Sequence, residues 1–133
     1  MEAGRELDAL VAEKVMGHIP MTVRQACGIS LADREDDEVV IGIAPGVPPT
    51  YAYLNDLPRY STDIAAAWEV VARIIVLGFR HPLVRYDNDR PEGRERWTAA
   101  IIKPDGKGGA RGDAFTAPHA ICLAALNAVG NPI

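Results

Sequence analysis

Three stretches of the chain repeat their apolar residues at helical spacing. In 5–16, Leu7, Leu10, Val11 and Val15 form one apolar stripe, with Arg5, Glu6, Asp8, Glu13 and Lys14 mostly on the rest of the wheel. Gly17 and then Pro20 stop that helix. In 62–77, Ile64, Ala67, Trp68, Val71 and Ile75 supply the stripe. Ser61 or Thr62 is placed to cap the first amides, and Asp63 complements the positive end of the helix dipole. This spacing predicts Trp68 as a core anchor whose loss to alanine costs about 3–5 kcal/mol. Ala65, Ala66 and Ala67 allow a neighbour to approach closely, and Gly78 ends the helix. The third helix is predicted over about 117–129, with Thr116 as cap, Pro118 in the first turn and Ile121, Cys122, Ala125, Leu126 and Val129 as its apolar face.

Between these helices the pattern changes to short apolar runs. Val39–Ile43 reads as a strand after the solvated acidic run Asp33–Glu38. Phe79–Tyr86 and Trp97–Lys103 read as an antiparallel hairpin around a long turn rich in turn formers, 87–93. Pro82 pushes the first of these strands toward a sheet edge. Trp97–Ile102 and Val39–Ile43 lack polar alternation, which predicts strands covered on both faces. Thr50–Tyr60, with Tyr51, Tyr53, Leu54, Leu57 and Tyr60, is too aromatic for free linker and is expected to lie on the core. Pro104–Phe115 reads as a glycine-rich loop. The sum is an α+β fold: an α/β/α-layered sandwich with a small, mostly antiparallel sheet of about three strands and three main helices.

The 133 residues suit one domain, and 48% hydrophobic with 24% charged residues is ordinary for a globular chain. The whole of 1–133 is therefore read as a single domain, with a variable segment at about 18–59. Two cysteines, Cys27 and Cys122, make no disulfide framework. No signal peptide and no run of membrane-spanning length is visible, so a cytoplasmic location in a reducing compartment is expected.

Three blocks carry a resemblance: Gly4-Arg-Glu-Leu-Asp-Ala-Leu-Val-Ala-Glu-Lys-Val-Met-Gly17, Tyr60-Ser-Thr-Asp-Ile-Ala-Ala-Ala-Trp-Glu-Val-Val71 and Thr116-Ala-Pro-His-Ala-Ile-Cys-Leu-Ala-Ala-Leu126. In that order, with the hairpin holding Trp97 between the last two, they resemble the phage ABA-sandwich domain family of small bacteriophage and prophage proteins. The resemblance implies helix, sheet and helix layers. It implies no agreed activity, cofactor or catalytic residue.

Candidate chemistry reads mostly as scaffold. In 105–113 Lys107 precedes most of the glycines and no Ser or Thr follows it, so no P-loop forms, and G-x-G-x-x-G fails because Arg111 stands where the last glycine belongs. What remains there is an anion contact by loop amides and Arg111. Arg111-Gly-Asp113 is a chance tripeptide. Asp87-Asn-Asp89 opens like a calcium loop and then breaks at Pro91 and Thr98. His18, His81 and His119 show no zinc spacing, and Ser61 and Cys122 show no catalytic pattern. No catalytic, metal or cofactor residue is assigned.

The net charge of −4 opposes broad nucleic-acid binding. Arg80, Arg85, Arg90, Arg94 and Arg96 form the one basic cluster, interleaved with Asp87, Asp89, Glu92 and Glu95. Tyr51, Tyr53, Tyr60 and Arg111 are the candidate interaction surface. The expected role is a non-enzymatic phage or prophage accessory protein whose partner is another protein or a second copy of itself, not a membrane. A nucleic-acid module using the five arginines and a small enzyme or ligand-binding protein are the alternatives.

Overall fold

A computed structural model describes residues 1–22, 38–42, 50–53 and 57–130, of which 19–22, 38–42 and 50–53 are described as backbone. Helix α1 spans Arg5–Lys14. Strands β1 (Ile19–Thr22), β2 (Glu38–Gly42) and β3 (Thr50–Tyr53) form one antiparallel sheet in the order β1-β2-β3. Helix α2 spans Ile64–Val76. Strands β4 (Arg80–Tyr86), β5 (Trp97–Ile102) and β6 (Gly109–Ala114) form a second antiparallel sheet in the order β4-β5-β6. Helix α3 spans Ala117–Ala128 and packs mainly on β6 and β5. The α+β class, the three helices and a three-stranded antiparallel sheet are as the sequence predicts, but there are two such sheets, and the predicted strand at 39–43 belongs to the one apart from the hairpin.

The helix ends follow the expected chemistry, with one change. Thr116 caps α3 by accepting from the amide of His119, and Pro118 occupies the first turn, where its missing N–H costs nothing. Helix α2 is capped instead by Asp63, whose carboxylate accepts from the amide of Ala65 at 3.1 Å. Ser61 and Thr62 do not cap it. Ser61 is buried and tied to α1, as described below.

The 104–115 segment is not a loop throughout. Its second half is β6, which pairs residue for residue with β5 from Trp97↔Ala114 to Ile102↔Gly109. Gly109 and Gly112, within β6, are there for close packing. A Cβ on Gly112 would sit 2.5 Å from the carbonyl oxygen of Ala120 and 2.5 Å from the amide of Ala124, so only glycine lets α3 settle on the strand. A Cβ on Gly109 would sit 2.3 Å from the oxygen of Ile101.

Helix α2 turns a different arc inward than the sequence predicts. Ala66, Ala67, Val70 and Ile74 are buried, while Ile64, Trp68 and Ile75 face out. Eleven of its thirteen residues are apolar, so periodicity does not choose the face. Packing chooses it: the small arc of α2 meets α3, whose own surface is rich in alanine. Trp68 is therefore no core anchor. It is 51% exposed.

Strand β5 is only partly covered. Ala99 and Ile101 lie against the helices, Thr98 is buried on the opposite face, and Ile102 is exposed. Strand β4 stands at the sheet edge, as Pro82 predicts, and bulges between Arg80 and Leu83. His81 within that bulge adopts φ 53°, a left-handed conformation unusual for a residue with a side chain.

Candidate functional site

The outward arc of α2 is the most distinctive surface of the described residues. Ile64, Trp68, Val71 and Ile75 are spaced by four, three and four residues, which lines them up along one side of the helix. Ile64 is 43%, Trp68 51% and Ile75 50% exposed, while Val71 is half-buried. Val76 beside them is 75% exposed, and Ala65 and Ala72 flank the stripe as small exposed residues. The helix carries two charges. Glu69 lies off the stripe, and Arg73 reaches back to donate to the carbonyl of Val15 at 3.2 Å. The result is an uncharged apolar patch on the order of 400 Å², within the range of the largest patch a typical monomer leaves in water.

Between α2, α3 and the sheet lies a cavity of about 20 Å³ walled by Val70, Ile74, Leu83, Ile121 and other apolar residues. Ligand pockets run to several hundred Å³ with convergent polar groups, so this is a packing defect rather than a binding site. An open cleft of about 490 Å³ on the outer sheet face runs along Leu83, Ala100 and Ile102, with His81 its one polar side chain.

A polar cluster sits on that outer face. Thr98 donates to Asp113 at 2.6 Å, and the guanidinium of Arg111 donates to the same carboxylate at 3.1 Å. Arg90 joins through an ion pair of 3.5 Å to Asp113 and another of 3.4 Å to Asp87. Partial burial raises the Asp113 pKa, but the hydrogen bonds from Thr98 and Arg111 and the charges of Arg111 and Arg90 outweigh it, leaving the carboxyl below its ordinary value. Arg111 and Asp113 thus pair with each other. The exposed guanidinium of Arg111 is turned toward Asp113.

The predicted basic cluster does not converge. Arg90 is held by Asp87, Asp113 and the carbonyl of Glu95. Arg96 donates to the Tyr86 hydroxyl at 3.3 Å. Arg94 and Arg96 border a shallow groove of about 270 Å³ with Glu92, Tyr86 and Phe115, while Arg80 and Arg85 belong to β4 and do not line it.

Of the predicted aromatic surface, Tyr60 is a correction. It is 2% exposed, in the core beside Leu57, and desolvation by burial, reinforced by the charges of Glu69 and Asp8, pushes its pKa up to about 12. Tyr51 and Tyr53 pair with Ile41 and Val39 across β2 and β3, and their side chains lie outside the described residues. So does most of the variable 18–59 segment, including Cys27 and Asp33–Asp37.

Neither Ser61 nor Cys122 is poised as a nucleophile. Ser61 is fully buried, and its hydroxyl donates to Asp8 at 2.6 Å. Cys122 is fully buried, and desolvation pushes its thiol well above the ordinary value. Among the described residues no three His, Cys, Asp or Glu gather in a way that could hold a metal ion, and no helix is long and apolar enough to cross a membrane.

Two comparisons bear on this architecture. The family model of the phage ABA sandwich domain matches residues 9–126. A phage protein from Bacillus cereus ATCC 14579, known from a crystal structure, is similar in fold, with a TM-score of 0.58 and 23% identity over 96% of this chain and 92% of that one. No curated protein matches.

Proposed function

This chain belongs to the phage ABA sandwich domain family, and from that membership we propose that it is a phage or prophage accessory protein that works by binding another macromolecule through the outward face of α2, not by catalysis. The observation that carries this reading is the uncharged stripe of Ile64, Trp68 and Ile75 left in water. Keeping that much apolar surface exposed forgoes roughly 25 cal/mol for every Å² left unburied. A tryptophan at the centre of an apolar patch is the residue type that most often anchors an interface.

The test is site-specific photocrosslinking in cells that produce the protein. A photoreactive phenylalanine analogue at position 68 is expected to give a covalent adduct, and the same analogue at exposed Lys107 is not. Absence of any adduct from position 68 overturns the reading.

A second reading rests on the groove at Arg94, Arg96, Tyr86 and Phe115, where basic and aromatic side chains meet as in single-strand nucleic-acid sites. It predicts retention on single-stranded DNA or RNA at low salt that is lost with added salt. No retention at low salt removes it.

A further inference from the structure

We propose that the occupant of the α2 face is a second copy of this chain, docked helix against antiparallel helix about a two-fold axis. The inference rests on the contact face proposed above and names its partner. Its basis is the symmetry of the stripe. Steps of four, three and four residues read the same in both directions. When two such helices run antiparallel, Ile64 faces Ile75 of the other copy and Trp68 faces Val71. That is the arrangement of an antiparallel coiled-coil seam, where the two kinds of core position meet each other. An isologous contact needs this reciprocity, in which each residue meets what its own counterpart meets.

The chemistry of the stripe permits it. A charged stripe turned on itself would set like charges together, whereas this one carries none. Ala65 and Ala72, exposed beside the large residues, leave room for the two indoles to lie across the partner helix. Two patches of the estimated size, with their flanks, bury on the order of 1,000 Å², the lower bound for a specific interface. The pair is therefore expected to dissociate on dilution.

The competing element is the edge of the second sheet. Among the described residues strand β4 pairs only with β5, and no strand there covers its other edge. Yet it carries Pro82, the bulge at His81, and the charged Arg80 and Arg85, all of which oppose addition of another strand. Among the described residues no such feature guards α2.

Sedimentation velocity on the full chain tests the proposal. The wild type is expected at twice the chain mass of 14.3 kDa at micromolar concentrations, falling toward the single mass on dilution. Ile64→Lys and Ile75→Glu change exposed positions, so each is expected to keep the far-UV circular dichroism of the wild type and to sediment as a monomer. Mixed in equal amounts they are expected to recover the dimer, because the ammonium introduced at position 64 of one copy then faces the carboxylate introduced at position 75 of the other, and the remaining pair stays apolar. A wild type that is monomeric throughout overturns the proposal. So does a dimer that neither variant breaks, and so does failure of the mixture to recover what the single variants lose. A monomeric wild type whose position 68 still crosslinks to a different protein overturns the self-pairing alone and leaves the contact face standing.

Discussion

The hydroxyl of Ser61 donates to the carboxylate of Asp8 across 2.6 Å, joining two segments 53 positions apart in the chain. The backbone amide of Ser61 donates to the same oxygen at 2.8 Å, and Arg5 donates to the other at 3.0 Å. The amide of Gly4 in turn donates to the Ser61 hydroxyl oxygen at 2.9 Å. Asp8 is 1% exposed, so this is a buried clasp between the first turn of α1 and the entry to α2. Removing the carboxylate strands a buried hydroxyl and amide and takes a partner from Arg5. Asp8→Ala is expected to cost about 3 kcal/mol and Ser61→Ala about 1–2 kcal/mol in urea unfolding. An Asp8→Ala variant within about 0.5 kcal/mol of wild type would show the clasp to be idle.

Trp68 and Leu126 should behave oppositely on truncation. Leu126 is fully buried, and Leu126→Ala is expected to cost about 2–5 kcal/mol. Trp68→Ala is expected to cost under about 1 kcal/mol when unfolding is followed at high dilution, as for other surface substitutions. A larger loss for Trp68 than for Leu126 under those conditions would contradict the assigned face of α2.

Two glycines separate backbone conformation from space. Gly106 has φ 72° with open space around its missing Cβ, so Gly106→Ala pays only for the left-handed backbone, about 1 kcal/mol. Gly112 has no such strain but no room, and Gly112→Ala must lift α3 from β6 at a cost of about 3 kcal/mol. Thermal unfolding of the two variants side by side checks the order, and equal effects would refute it.

Cys122 should be silent toward alkylation in the folded protein. Burial, with the Asp8 charge second, holds its thiol protonated past the ordinary value of 9.0. The folded state disfavours the thiolate and the unfolded state does not. The stabilising contribution is therefore whole below pH 9.0 and is lost as pH rises above it toward the folded value. Peptide mapping after iodoacetamide is expected to find Cys122 unmodified until denaturant is added. Cys122→Ala should flatten the alkaline fall of the melting temperature, with the part due to Tyr60 beginning from its ordinary 10.0. Modification of Cys122 under native conditions would overturn the assignment.

Much of this fold is legible in the chain because its signals are local. The α1 stripe, the Thr116 cap with Pro118, and Pro82 at a sheet edge each follow from a few neighbouring residues, and each is found in place. The misreadings all involve tertiary partners. Nothing around Asp8 distinguishes it from an ordinary helix-surface acid, since Arg5 three residues before it is a common exposed pairing. The glycines of 106–112 read as looseness, yet the reason for Gly112 lies on a helix that begins only after it. The face of α2 is hard to read because Glu69 and Arg73, four residues apart, mark only a narrow polar side, which does not choose between the two apolar arcs next to it. Ala66 and Ala67 won the interior over Trp68 because α3 requires close approach. The α2 surface was visible as a pattern and mistaken for core, since an interface stripe and a core stripe obey the same spacing.

The half-exposed indole of Trp68 also gives the chain an intrinsic optical probe. Its partner chromophore, Trp97, packs against Tyr86 with ring centroids 5.1 Å apart and is partly shielded. One tryptophan thus samples bulk solvent while the other stays beside a ring of the same fold. Whatever settles on α2 strips water from the first and leaves the second unchanged, so the emission moves toward the blue without any label being attached.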